Sequence, residues 1–423
     1  MRGRTRIGSK MHYAWVIVIT GILAFMLAHG FGKMSYTVIL PFMKDGLSLT
    51  YTQVGLIASG NFIGYLVISV VGGFLASRFG ARNIIFLSLL VTGVGLFLTG
   101  LSDSFSFAFV TRLITGLGNG GVPVPMITLP AIWFSVRKRG LAMGMVNMGV
   151  GLGLSLAGLL LPYCISYYGP EGWKYAWYLM GATVFACSFV CYALLRDHPR
   201  EKGLTMYGGD AHEEQASLPE NITLGSALRR VVGESQIWKL SCVYLAFGFS
   251  YIIYLTFFIA YLTKELGMPT TEAGRIFALL GFLSIFCGLP WGSLSDRIGR
   301  RYASTFGLLT LATSFLLFAC YRQPLGAYLS AIIFGLTAFA IPVIIAAAVG
   351  DAVGGQLASA GFGVVTLFFG IGQVFAPFIG GWIKDTTGTF TTAFLLCTMV
   401  AILGAFFSYF LMGRPSRGKN RGA

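Results

Sequence analysis

Long apolar runs alternate with short polar breaks along the whole chain. Twelve runs reach roughly the twenty residues needed to cross a hydrocarbon core. They lie at 12–42, 51–77, 83–101, 104–134, 140–165, 173–195, 236–263, 271–295, 302–321, 326–350, 356–383 and 387–412. No period-two alternation persists in them, and Gly and Pro are frequent. That pattern predicts membrane helices rather than barrel strands. The first run is long and lacks a small-residue cleavage site, so it reads as a retained helix, not a signal peptide.

One polar stretch, 196–235, divides the runs six and six. It opens with Arg196-Asp197-His198-Pro199, carries an acidic piece from Asp210 to Glu220, and has a short helical pattern from Leu224 to Val232. A solvated cytoplasmic linker between two six-helix bundles, 1–195 and 236–423, is the expected organisation. A regulator-binding segment is the alternative. The two halves share a charged cassette. Gly73-Phe74-Leu75-Ala76-Ser77-Arg78-Phe79-Gly80-Ala81-Arg82 recurs 219 positions later as Gly292-Ser293-Leu294-Ser295-Asp296-Arg297-Ile298-Gly299-Arg300-Arg301. The same offset aligns Leu47–Gly55 with Leu266–Gly274, Gly116 with Gly335, and Pro123 with Pro342. Such a duplication predicts two pseudo-symmetric bundles, a design that carries solutes by rocking one half against the other.

The 423 residues are 56% hydrophobic and 11% charged, with a net charge of +15. Basic groups cluster at Arg2, Arg4, Arg6 and Lys10, at Arg78 and Arg82, at Arg137-Lys138-Arg139, at Arg297, Arg300 and Arg301, and at Arg414, Arg417, Lys419 and Arg421. With twelve spans all of these fall on one side, which predicts cytoplasmic termini in a bacterial inner membrane. The excess charge then reports topology and contact with anionic lipid heads, and no nucleic-acid partner is expected. Seven cysteines lie in apolar runs without metal or disulfide spacing, so they read as packing residues. No P-loop is present, and no nucleophile–base pair or metal cluster argues for an enzyme or a cofactor.

Twelve spans, a long central loop and a cassette after spans 2 and 8 resemble the major facilitator superfamily. The second cassette matches that family's G-x-x-x-D-R-x-G-R-[RK] motif in full. The first has Ser77 in place of the acid and Ala81 in place of a base. Arg112-Leu113-Ile114-Thr115-Gly116-Leu117-Gly118 is similar to the family's R-x-x-x-G-x-G motif, and Gly149, Gly151, Gly153 and Pro162 form a looser glycine–proline match. Gly32–Pro41 and Gly370-Ile371-Gly372-Gln373 with Pro377 and Gly380 resemble the YbfB/YjiJ-type subgroup, near the monocarboxylate and oxalate/formate carriers. The family resemblance implies the major facilitator fold and a gating role for the cassettes. Arg78, Asp296, Arg297 and Arg301 are the expected gating residues, with Asp296 and Arg297 forming the latch. The alternative is that these arginines only fix topology.

Candidate binding chemistry sits in the apolar runs. Lys33 lies about 8 Å outward of the middle of the first span, and His29 is a turn earlier near the middle. With Tyr36 they form one polar stripe. The stripe reads as cavity lining, against a snorkelling lysine or a structural pair. Arg112 lies roughly 12 Å deep in span 4, as an anion contact or as a buried structural arginine. The second half has Ile252 and Ala331 at the matching positions, so both cations are first-half features. Asn61, Asn119, Asn147 and Gln373 either orient a substrate or tie helices together. No Asp or Glu falls in the middle of any span. Two deep cations without an acid favour a small organic anion, a carboxylate or sulfonate, moved by proton symport or anion exchange. His29 is a candidate proton carrier. A monomer suffices for this scheme. Efflux of neutral or amphipathic compounds, suggested by the 36 phenylalanines, is one alternative. A non-transporting membrane sensor is another.

Overall fold

The computed structural model describes residues 11–209, 224–354 and 357–411. The basic termini, including Arg2, Arg4, Arg6, Lys10, Arg414, Arg417, Lys419 and Arg421, and the acidic piece Asp210–Glu220 lie outside them. Twelve helical spans follow one another at 13–46, 51–79, 81–100, 105–133, 136–168, 172–194, 235–264, 270–298, 300–320, 324–353, 358–387 and 391–411. Nine helical stretches among the described residues are long and apolar enough to cross a membrane, and the one over 137–194 contains spans 5 and 6. The fold is all-α and membrane-embedded.

Spans 4, 8 and 10 are broken. Spans 4 and 10 break after Gly120 and Gly335, and each resumes with one of the matching prolines, Pro123 or Pro342, in the first helical turn. Proline is tolerated there because a first-turn N–H has no intrahelical partner. The halves differ in span 1. Met26–Met34 is a π-helix, whereas span 7, its counterpart, is one continuous α-helix, Ser235–Lys264. Small residues permit this distortion. A Cβ on Gly30 would come within 2.4 Å of the Gly153 backbone in span 5.

The two sequence halves meet chiefly along two helix pairs, spans 2 with 11 and 5 with 8, and span 1 also touches span 7. Glycine brings the backbones close. A Cβ on Gly55 would lie 2.2 Å from the Pro377 carbonyl, and one on Gly151 would lie 2.6 Å from the Gly281 carbonyl. Hydrogen bonds cross the seam from Ser59 to the Val374 carbonyl (2.6 Å), from Ser155 to the Ala278 carbonyl (3.1 Å), and from Thr37 to the Leu255 carbonyl (2.7 Å).

Following the same helix faces toward the cassettes, the contact stops. Gly144 and Gly140 continue the Gly151 face of span 5, and Gly288 and Gly292 continue the Gly281 face of span 8. Added Cβ atoms at these four positions, or at Gly363 in span 11, would meet nothing within 4 Å. The seam is therefore closed at one end and splayed open at the cassette end. Polar contacts seal the closed end. Asp385 of span 11 accepts from the Tyr51 and Thr52 amides (3.1 and 2.7 Å) and from the Thr52 hydroxyl (2.6 Å). Lys264 pairs with Asp45 at 2.5 Å. These two residues are separated by the repeat offset itself, so equivalent positions of the two halves meet there.

The connection after span 6 differs from the solvated linker expected of 196–235. Its first part is docked on the first half. The Trp133 indole donates to the Arg196 carbonyl (3.0 Å), the Tyr207 amide to the Trp133 carbonyl (2.9 Å), and the Ser135 amide to the Tyr207 carbonyl (3.2 Å). The helix expected near 224–232 spans Leu224–Gly233.

Candidate functional site

The π-helix of span 1 positions the centre of the site. Wider turns replace the α-helical ladder, and the Ser35 amide bonds to the Gly30 carbonyl five residues back. The carbonyl of Gly32 accepts from the Arg112 guanidinium of span 4 at 3.0 Å. Arg112 is 1% exposed and its Nε has no partner among the described residues. Its guanidinium carbon stands 5.2 Å from the Tyr36 ring and 5.1 Å from the Trp177 ring. Behind it, Asn61 donates to the Arg112 carbonyl (3.2 Å), and Asn119 donates to Asn61 Oδ1 (3.4 Å). Both asparagines tie span 2 to span 4, while Asn119 Oδ1 has no partner among the described residues.

Lys33 is 5% exposed, which rules out snorkelling. Its ammonium donates to Gln373 Oε1 of span 11 at 3.2 Å and sits 3.9 Å from the Tyr65 ring centre and 4.9 Å from that of Phe62. Gln373 in turn donates to the Tyr251 hydroxyl of span 7. A chain of polar contacts thus runs from the first half through Lys33 into the second. Lys33 and Arg112 line one small cavity of about 10 Å³ with Tyr36, Thr37, Ile252 and Thr256. That is about the room one water needs.

The expected stripe of His29, Lys33 and Tyr36 is split. His29 stacks on Phe25 (5.2 Å) and meets the edge of Tyr65 (5.9 Å), so it shares Tyr65 with Lys33. Tyr36 turns to the other side, against Arg112 and Trp177, and donates to the Val54 carbonyl at 2.8 Å. The π-helix shifts the register between residues 29 and 36, which α-helical spacing cannot anticipate. Asn147 stays apart from this cluster. It is exposed, on the Gly144–Gly151 face of span 5 at the open end of the cleft. The contacts of Tyr65, Tyr251 and Trp177 were not foreseen. Tyr65 follows Asn61 by one helical turn, and Tyr251 precedes Ile252, the counterpart of Lys33. Those spacings were the available signals.

The cassettes also differ from expectation. Asp296 pairs with Arg300 at 2.6 Å, not with Arg297, and Arg300 also reaches Asp351 at 3.1 Å. The turn at Gly299, with φ of +91°, brings the next helix start back over Asp296. Arg297 is exposed, and Arg301 stacks over Tyr409 at 4.4 Å. In the first cassette, among the described residues, Ser77 bonds only its own helix, to the Phe74 carbonyl, and Arg78 lies against Phe79. The missing acid is supplied from elsewhere. Asp197, just past span 6, accepts from the Arg82 amide at 2.8 Å and caps span 3. None of these contacts joins the two bundles.

A bundle of twelve membrane helices, with a cationic centre reaching across both halves and a cleft open at one end, has the build of a solute transporter. The chain belongs to the Major Facilitator Superfamily, whose model matches residues 22–288 and 240–423. It is 23% identical over 408 residues to a probable sulfoacetate transporter of Cupriavidus necator, covering 93% of each chain. It is 25% identical to a hexuronate transporter of Bacillus subtilis, covering 92% of each. It is also 25% identical to a putative tartrate transporter of Agrobacterium vitis, covering 87% and 84%. Among solved structures, a bacterial homologue of the human lysosomal transporter Spinster, inward-facing and occupied, superposes with a TM-score of 0.75. It is 17% identical, with 96% and 98% of the two chains covered.

Proposed function

We propose that this protein is a secondary transporter of a small organic anion, a carboxylate or sulfonate, working by alternating access. One observation carries the proposal. Lys33 and Arg112 are buried cations on a single cavity, and their hydrogen bonds go to an amide and a peptide carbonyl rather than to a carboxylate. A charge at the centre of a membrane helix costs on the order of 3 kcal/mol or more unless a partner or water compensates it. An anionic cargo is that partner. The relatives named for sulfoacetate, hexuronate and tartrate transport support the same class.

In this scheme residues 1–195 and 236–423 rock about the site, joined by 196–235. Lys33, Arg112 and Gln373 contact cargo, while His29, Tyr36, Asn61 and Asn119 shape or support the site. Asn147 lines the route to it. Arg78, Asp296, Arg297 and Arg301 act at the cassette end when that end closes. The basic clusters argue for a bacterial inner membrane with both termini cytoplasmic, which makes the present form inward-facing. A monomer in contact with anionic lipid suffices. The resemblance to the YbfB/YjiJ-type subgroup rests on Gly32–Pro41 and Gly370–Gly380, the segments that Lys33 and Gln373 join.

Thermal-shift binding to the purified protein tests the class. Organic anions should stabilise it, and Lys33→Ala should remove the effect. Stabilisation by cations or neutral amphiphiles alone would refute it and favour efflux. Counterflow in liposomes separates the two couplings. Uptake that follows an imposed proton gradient indicates symport, and uptake that requires internal anion indicates exchange.

A further inference from the structure

We infer that the cargo carries two anionic groups on a short spacer: a carboxylate held by Arg112 and a second carboxylate or a sulfonate held by Lys33. This rests on the proposed anion transport and adds the charge and shape of the substrate.

Lys33 and Arg112 both line the cavity, and among the described residues their hydrogen-bond acceptors are neutral. Lys33 Nζ has the Gln373 amide oxygen at 3.2 Å and two aromatic rings. Arg112 has the Gly32 carbonyl at 3.0 Å, two aromatic rings and an Nε without a partner among the described residues. A monoanion would compensate one cation and leave the other desolvated, whereas a dianion compensates both. In a low-dielectric site an unmatched buried charge dominates the energetics, so the second group is a strong discriminator.

The two cationic groups also differ in shape. Guanidinium is a planar fork that matches a carboxylate with two parallel hydrogen bonds, and its free Nε is one donor of such a fork. Ammonium is a compact charge that accepts a tetrahedral sulfonate as readily as a planar carboxylate. The groups are close along the chain, because Arg112 is anchored to the carbonyl of Gly32, the residue before Lys33. Both residues line one small cavity, so a short spacer lets a single molecule reach both groups. The second half adds Gln373 with the Tyr251 hydroxyl behind it. An anionic group on Lys33 competes with Gln373 for the ammonium, so cargo at this end loosens a contact that now spans the two halves.

Matched ligands test this. Malonate, succinate, adipate and 3-sulfopropionate are titrated into the purified full-length protein at pH 7.5, each beside its monomethyl carboxylic ester. At least one diacid should bind tenfold or more tightly than its ester. In Lys33→Gln and in Arg112→Gln that ratio should fall below about threefold, and Arg112→Lys should restore part of it. Melting curves of the ligand-free variants check that they are folded. Esters that bind as tightly as their diacids overturn the inference and leave anion transport standing. A preference that survives both glutamine substitutions overturns it as well. If no anion of either kind binds, the inference and the proposed function fall together.

Discussion

Asp385 reaches from span 11 to the start of span 2, and its removal should open the sealed end of the seam. The first amides of a helix have no intrahelical acceptor. At this terminus Thr50 and Gln53 cap each other reciprocally, which satisfies two amides. The Tyr51 and Thr52 amides depend on the Asp385 carboxylate from the other half, as does the Thr52 hydroxyl. Asp385→Ala removes an acceptor only in the state where this end is closed. Losing a capping side chain costs about 0.5–2 kcal/mol. Asp385 is exposed, so solvent screening places the loss near the lower part of that range, about 1 kcal/mol. That is roughly a fivefold shift toward the state open at this end. Thr256 lines the central cavity and is buried behind the seal. A Thr256→Cys reporter, in a background with the native cysteines replaced, should react about fivefold faster with an impermeant maleimide added on the Asp385 side. Asp385→Asn keeps one acceptor oxygen and should fall between. An unchanged rate in Asp385→Ala would refute the idea that this carboxylate holds the end shut.

Three further outcomes are expected. Gly151→Leu drives a side chain against the Gly281 carbonyl and Ser284, so it should prevent closure, raise Thr256→Cys labelling and abolish transport in liposomes. Gly144→Leu, which projects into open space, should leave that labelling unchanged. Asp197→Ala uncaps span 3 at a cost of about 1 kcal/mol. It should speed tryptic cleavage after Lys202 in the docked segment, and an unchanged cleavage rate would count against the cap. Arg300→Gln breaks the pairs with Asp296 and Asp351, both well exposed, so less than about 1 kcal/mol is at stake and the melting temperature should barely move.

The twelve spans, the duplication and the depth of Lys33 and Arg112 within their spans were legible in the residues. Apolar length alone dictates a spanning helix, because a lipid-exposed backbone must satisfy its own hydrogen bonds. The absence of acids in mid-span was equally visible, and it carries the anion argument. Side-chain partners were less accessible. Asp296 with Arg300 required the Gly299 turn, and Asp197 standing in for the acid that Ser77 lacks required two segments more than a hundred residues apart to meet. Reading 196–235 as solvated missed the backbone pairing of Tyr207 with Trp133 and Ser135 in its first part, since a polar composition describes side chains and says little about backbone hydrogen bonds.

Sequence by itself determined that this chain is a two-part membrane bundle whose first half carries two deep cations. Hydropathy and charge are properties of each residue and survive without coordinates. Only the tertiary structure decided that Lys33 and Arg112 face one cavity, that the π-helix turns Tyr36 away from His29, and that Gln373 bridges the halves. Contacts between distant helices depend on register and close approach. A single π-turn in span 1 redirects side chains that α-helical periodicity would have aligned.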